Sequence, residues 1–108
     1  MKRVYAIVQN DDSKRLIKEL TNRRISVTRI SSSGGFLHNG NSTLMIGVEA
    51  DKLQDTLDII KEKSSTRKEY MVVPSAVPGY IDNSPAPVQV TMGGATVFVV
   101  DVEQFYKF

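Results

Sequence analysis

Apolar and polar positions along the chain predict six elements in the order β-α-β-β-α-β. Residues 4–9 are rich in β-forming side chains and apolar on both faces, which is typical of a central strand. Residues 43–48 alternate strictly, with their large aliphatic side chains on one face. Further strands are predicted at 25–30 and 95–102. The short extended stretches 70–73 and 88–90 are expected to add a ribbon.

Two helices are predicted from apolar residues at helical spacing. The first follows the polar run 10–13, which supplies N-cap candidates, and its apolar stripe consists of Leu16, Ile17 and Leu20. The second has a stripe of Leu53, Leu57 and Ile60. Asp51, with Gln54 three residues later, resembles a capping box at its start. Residues 102–106 are expected to form a closing helical turn.

This order of elements predicts an α+β fold, a ferredoxin-like sandwich with an antiparallel sheet and two helices on one face. A single domain over residues 1–108 is expected, with a short loop at 33–42 and a long Pro-rich loop at 74–87. Loops as long as the second are uncommon and usually carry a function. Because the first strand is apolar on both sides, we expect its other face to be buried against further copies of the chain, in a dimer or a trimer.

Composition and charge exclude several classes of protein. The 108 residues suffice for one core, and 14 Lys and Arg against 12 Asp and Glu give a net charge of only +2, which argues against binding to long nucleic acid. The sequence contains no cysteine, hence no disulfide, thiolate metal site or cysteine nucleophile. It has no apolar run of membrane-spanning length, and its N-terminal apolar stretch is too short for a signal sequence. A cytoplasmic location is therefore expected.

Catalytic chemistry has little support in the sequence. His38 is the single histidine, and it lies in a glycine-flanked loop near Ser31–Ser33. Consecutive serines beside glycines are ordinary loop residues, and a serine triad needs a carboxylate in register with both partners. The adjacent carboxylates Asp11 and Asp12 are better explained as helix caps than as metal ligands. We therefore expect no enzymatic activity, no metal and no cofactor.

The segment 28–41 is the best candidate for a binding site. Adjacent glycines at 34 and 35 allow close approach of the backbone to a ligand, and successive N–H groups can cradle an anion. Phe36 is an aromatic residue in a polar loop, where it could stack on a nucleobase, and Asn41 could hydrogen-bond an adenine edge. The alternative is a plain hairpin loop with Phe36 packed into its own core.

Four stretches of the sequence resemble the P-II-like cyclic di-AMP receptors of Gram-positive bacteria. They are AIVQ at 6–9 followed by Asp11-Asp12-Ser13, SGGFLHNGN at 33–41, GV at 47–48 and GGATVFVVDVEQFYKF at 93–108. The resemblance covers essentially the whole chain in the same order. It implies a homotrimer of ferredoxin-like subunits with cyclic di-AMP bound between neighbours. It also implies a downstream protein, which the sequence does not identify.

The resemblance also implies which residues contact the ligand. The contacts carried over are Thr28, Gly35, Phe36, Leu37, Asn41 and Gly47, with Ser26 and Val27 alongside and Phe98 from the last strand. Two positions depart from the family pattern. Ser26 stands where a basic residue is expected, and Lys107 stands where glutamine is common, so that a cation near the C-terminus could attract phosphate by another route.

Two other functions remain open from the sequence. One is a P-II-like sensor of another adenine nucleotide such as ATP, which would require a cationic grip on the phosphates. The other is a protein-interaction module that uses the loop 74–87 and binds no small molecule. An RNA-recognition domain shares the order of elements but lacks the aromatic-rich strand signature.

Overall fold

The computed structural model describes residues 1–30, 40–72 and 87–108, apart from the side chains of residues 71, 72, 87 and 88. A 3₁₀ turn at Ala50–Lys52 leads into the second helix. The elements are β1 (Lys2–Gln9), α1 (Asn10–Asn22), β2 (Ser26–Ile30), β3 (Asn41–Val48), α2 (Leu53–Ser64), β4 (Arg67–Val72), β5 (Pro87–Met92) and β6 (Ala95–Asp101).

Four strands form one antiparallel sheet in the order β2-β3-β1-β6. Since β1 and β2 lie on either side of β3, α1 crosses over one strand, and both helices pack on the same face of the sheet. This is the predicted ferredoxin-like α+β fold, with β6 as its fourth sheet strand. Strands β4 and β5 pair with each other as a separate ribbon, in which Arg67 is opposite Met92.

The core lies between the helices and one face of the sheet. Alternate residues of β1 and β3 point into it, as the strict alternation in 43–48 predicted. In α1, Leu16 and Leu20 are fully buried and Ile17 packs at the margin, whereas in α2 the buried apolar residues are Ile59 and Ile60. Each fully buried aliphatic side chain contributes about 1.5–3 kcal/mol to the stability of the fold. The packing of this layer therefore holds the helices against the sheet.

The opposite face of the sheet is called the open face here, and it consists of the outward residues of β2, β3, β1 and β6. The outward residues of β1, among them Tyr5 and Ile7, are only half-buried. Strand β6 is an edge strand with Phe98 and Val100 each 48% exposed. Beyond it, Phe105 is 57% exposed. Large apolar residues on an exposed face and edge are a feature of surfaces that contact another protein.

Three local predictions are wrong. Helix α1 has Gln9 as its N-cap and no side-chain cap. Asp51 lies inside the 3₁₀ turn, and Gln54 donates to Asp58 one turn further on, so no capping box forms. Residues 102–106 are irregular and not helical. The N–H of Val102 donates to the carbonyl of Met1 at 3.2 Å, which continues the pairing of the last strand with the first by one residue.

The two predicted loops fall mainly outside the described residues, which omit 31–39 and 73–86. Of the short loop 33–42, only the last residues are described. They are Gly40, which has φ +98°, and the first two residues of β3. The extended stretch predicted at 70–73 is longer at its start than expected, because β4 begins at Arg67.

Candidate ligand-binding site

Strand register brings several predicted site residues onto the open face. Residues opposite each other in antiparallel strands share a face, so the sheet presents rows of neighbouring side chains. The first row is Ser26, Gly47, Arg3 and Val100, and the second row is Thr28, Met45, Tyr5 and Phe98. Four predicted residues, Ser26, Thr28, Gly47 and Phe98, thus lie on one surface although they are far apart in sequence.

A depression of about 180 Å³ lies over the β2 end of these rows. It is lined by Met1, Arg3, Ser26, Thr28, Met45, Gly47 and Phe105. Three of the predicted residues therefore meet in one place, next to side chains from β1 and from the C-terminal segment. Pockets for organic ligands usually enclose about 300–1,000 Å³. The depression in one chain is thus too small to enclose a dinucleotide.

Gly47 opens the floor of this depression. A Cβ built on Gly47 meets no atom of the described structure within 4 Å, so the space above the backbone is open. Ser26 and Arg3 are its direct neighbours on either side in the first row. A side chain at position 47 would occupy the space between them.

Arg3 is a residue of the depression that sequence reasoning missed. Its side chain is half-buried, and its Nε is buried without a hydrogen-bond partner in the part of the chain that the structure describes. The available signal was the period of two in β1, which puts position 3 on the same face as Tyr5 and Ile7.

Val27 does not belong to the depression. It is opposite Ile46, and its side chain packs at the margin of the core on the helix-facing side of the sheet. The prediction that included it with Ser26 and Thr28 followed the order of the sequence, whereas successive strand residues point to opposite faces. As a side chain, Val27 is therefore a core residue.

Phe98 and Asn41 lie at a distance from the depression within one chain. Phe98 is three strand spacings from Thr28, about 14 Å at the usual separation of strands. Asn41 starts β3 and Gly47 lies near its end, which separates them by about 20 Å at the usual rise per residue. A small ligand in the depression of one chain cannot touch all of these residues.

The remaining predicted residues are Gly35, Phe36, Leu37 and Lys107. The first three lie outside the described residues. Lys107 is exposed in the irregular C-terminal segment, between Tyr106 and Phe108, whose rings stack with centroids 5.8 Å apart. It does not line the depression.

Asn41 lies beside the base of the β4–β5 ribbon. It is opposite Gln9 in the sheet, and both residues line a cleft of about 370 Å³ that is also bounded by Gly93 and Gly94. The Gly93 N–H donates to Oε1 of Gln9 at 2.8 Å, and the Gly94 N–H donates to the carbonyl of Ser64 at 2.6 Å. Gln9 therefore connects two elements: its backbone pairs with the start of β3, and its side chain accepts the hydrogen bond from the base of the ribbon.

Asp12 fixes the same base from the other side. It is fully buried and accepts hydrogen bonds from Nη2 and Nη1 of Arg67 at 2.8 and 3.2 Å, and from Arg15 Nη2 at 2.6 Å. The Arg67 hydrogen bond, with the one from Arg15, holds the pKa of Asp12 below its ordinary value. The interpretation of Asp12 as a helix cap is thus wrong, because it anchors the first residue of β4.

Neither a metal cluster nor a membrane-spanning helix is found in the described part of the chain. Residues 1–30, 40–72 and 87–108 hold no group of three or more side chains suited to bind a metal ion. Over the same ranges, neither helix is long and apolar enough to cross a membrane.

The fold defines a class, namely a small ferredoxin-like α+β chain of the P-II-like type, here with a small depression on its open sheet face. The chain belongs to the cyclic-di-AMP receptor family, whose model matches residues 1–108. It is also similar to a protein from Pediococcus pentosaceus ATCC 25745, described as functionally unknown, whose crystal structure matches with a TM-score of 0.80. The two are 40% identical, over 99% of this chain and 96% of that one. The family resemblance seen in the sequence is therefore confirmed.

Proposed function

We propose that this chain is a non-enzymatic receptor that binds cyclic di-AMP in clefts between the subunits of a homotrimer. Membership of the cyclic-di-AMP receptor family supports the ligand. The observation that carries the proposal is the meeting of Ser26, Thr28 and Gly47 in one depression on the open face. These residues come from two strands, and only the sheet register brings them together.

The dimensions of the site support binding between subunits. The depression holds about 180 Å³, and the other predicted residues lie about 14 and 20 Å away across the same face. A second copy of the chain packed against the open face would supply the missing wall and cover the exposed Phe98 and Val100. Head-to-tail contacts that close on themselves generate a ring, and we propose a ring of three.

Each proposed contact has a chemical role. Gly35, Phe36 and Leu37 would offer backbone N–H groups to the phosphates, and the ring of Phe36 would stack on an adenine. Thr28 and Asn41 would read polar atoms of the adenine edges. Lys107 would bring a positive charge toward the phosphates from the C-terminal segment.

We further propose that binding changes the state of the long loop, which a downstream protein recognises. Asn41 is opposite Gln9, and Gln9 accepts the hydrogen bond of Gly93 at the base of the ribbon that continues into residues 73–86. A ligand that contacts Asn41 can therefore bias the ribbon, to the extent that it binds one state more tightly than the other. A cytoplasmic location is part of the same proposal.

Calorimetric titration with cyclic di-AMP, cyclic di-GMP and ATP tests the ligand. We expect saturable binding of cyclic di-AMP at one molecule per chain and much weaker heats for the other two. Preference for ATP would favour the sensor of another adenine nucleotide. Failure of all three to bind would favour the protein-interaction module.

Hydrogen exchange with and without cyclic di-AMP tests the loop change. We expect slower exchange in 33–42 and altered exchange in 74–87 when the ligand is bound. Equal protection of both segments in the two samples would refute the switching mechanism while leaving binding intact. Replacing Gln9 by Ala should weaken the effect in 74–87 more than the effect in 33–42, because the link to Gly93 is lost.

A further inference from the structure

Arg3 has one buried guanidinium nitrogen at the edge of the depression that no group of the described residues contacts by a hydrogen bond. Its Nε is inaccessible to solvent and has no hydrogen bond within the described residues. A buried donor left unsatisfied costs about 1–3 kcal/mol, and more if it is charged. Such a group in a native fold calls for a partner that binds at that place.

The described residues around Arg3 do not supply that partner. The residues that line the depression with Arg3 include no Asp or Glu. Of the nearby acidic groups, Asp101 forms an ion pair with Lys2, and Glu49 lies 3.9 Å from the N-terminal amine. A guanidinium without a carboxylate, beside an open depression, is suited to an anion from outside the chain.

The neighbours of Arg3 suit oxygen atoms of a phosphate. Gly47 separates Arg3 from Ser26 in the first row and leaves the space between them open. Ser26, which carries a hydroxyl, lines the same depression. A guanidinium and a hydroxyl around an open floor present several donors, and a phosphodiester carries only acceptors on its free oxygens.

We infer that Arg3 binds a phosphodiester group of the ligand, with Ser26 as a hydroxyl donor beside it. The inference rests on the proposed function, because cyclic di-AMP is what brings the phosphodiester to the open face. It adds a residue that the family resemblance did not imply. It also places a cationic contact to the phosphate on β1, at Arg3, which lies across Gly47 from Ser26.

The test is a calorimetric titration of Arg3→Gln with cyclic di-AMP at low and at high salt. Losing a charge-assisted contact should weaken binding about 10- to 100-fold. The affinity of the variant should also depend less on salt, because a charged contact to phosphate is screened by ions. Arg24→Gln makes the same change of charge at an exposed position after α1 and should bind like wild type.

Arg3→Lys keeps the charge but loses the planar fork, and we expect an affinity between those of wild type and Arg3→Gln. This variant also decides the matter if Arg3→Gln does not fold. Equal affinities and salt dependences for Arg3→Gln and wild type would overturn the inference and leave the proposed function standing. A wild-type protein that does not bind cyclic di-AMP would overturn both. Loss of the trimer in Arg3→Gln would make Arg3 a subunit contact and overturn the phosphate role.

Discussion

Asp12 illustrates how much a single buried carboxylate contributes to this fold. It lies in the first turn of α1, where acidic residues are favoured, and yet its partners are Arg15 and Arg67. The pair with Arg67 joins residues 55 positions apart in sequence. The Asp12 side chain is buried, whereas both arginines are partly exposed. Removing the carboxylate would therefore take away the acceptor that Arg15 and Arg67 share.

Replacing Asp12 by Asn should lower the free energy of unfolding at neutral pH by about 1.5–3 kcal/mol, the usual worth of a hydrogen bond to a charged group. Urea denaturation measures the change. Asp11→Asn is the matched control, because Asp11 is exposed on the same turn, and its effect should stay within about 0.5 kcal/mol. Equal stabilities of the two variants would contradict the anchoring role of Asp12.

The pH dependence of the same network has a definite sign. The folded pKa of Asp12 is lowered, mainly by the hydrogen bond from Arg67. Its stabilising contribution is therefore fully present above the ordinary carboxyl pKa of about 4. It is lost as the pH falls below that value and passes through the folded pKa. The difference in stability between wild type and Asp12→Asn should shrink over that acid range, and denaturation at several pH values will test it.

At the scale of elements, the base of the β4–β5 ribbon is the most constrained junction in the described chain. Gly93 has φ +80°, and a Cβ there would lie 2.5 Å from Nη1 of Arg67 and 2.5 Å from the carbonyl oxygen of Ser65. The backbone at this point passes directly over the side chain that Asp12 holds. Glycine is therefore required both for its conformation and for the lack of a side chain.

Gly93→Ala should destabilise the fold more than Gly40→Ala. Gly40 also has a positive φ, +98°, but a methyl group added there would meet no atom of the described residues within 4 Å. The control thus carries only the backbone strain, about 1–2 kcal/mol. Gly93→Ala adds overpacking of about 1–3 kcal/mol. Urea denaturation of both variants gives the difference, and identical losses would mean that the ribbon base is loosely packed.

At the scale of the whole molecule, the open face and the edge strand β6 leave large apolar side chains exposed in one subunit. Val100 lies in the first row next to Arg3, and Phe98 lies in the second row next to Tyr5. Burying each of them against another copy would contribute about 1.5–3 kcal/mol. The proposed assembly and the proposed ligand site therefore use the same surface, so a change in one is expected to affect the other.

Val100→Asp should dissociate the proposed trimer, because removing a carboxylate from water at the subunit contact costs more than burying an apolar side chain, even with Arg3 beside it. Sedimentation velocity will report the change as a shift toward the 12.0 kDa monomer. The variant should also lose affinity for cyclic di-AMP. Thr21→Asp introduces the same charge at an exposed position of α1 and should remain assembled. A wild-type protein that is monomeric at micromolar concentration would contradict the assembly itself.

The sequence was sufficient for the ferredoxin-like fold because period two and helical spacing are local properties of the chain. Leu16, Leu20 and the inward residues of β3 were identified by those periods alone. Local chemistry was a poorer guide to helix starts. Asp12 and Asp51 are good N-cap residues in isolation, but neither caps a helix in the structure. Asp12 pairs with Arg67, and Asp51 lies inside a 3₁₀ turn.

By itself, the sequence determined the family, the order of elements and which face of β3 forms the core. Only the tertiary structure decided which outward residues become neighbours. Sheet register puts Arg3 across Gly47 from Ser26, turns Val27 into the core and leaves Asn41 at the far end of β3. The physical reason is that cross-strand pairing joins residues distant in sequence, and no period along a single strand encodes its partner.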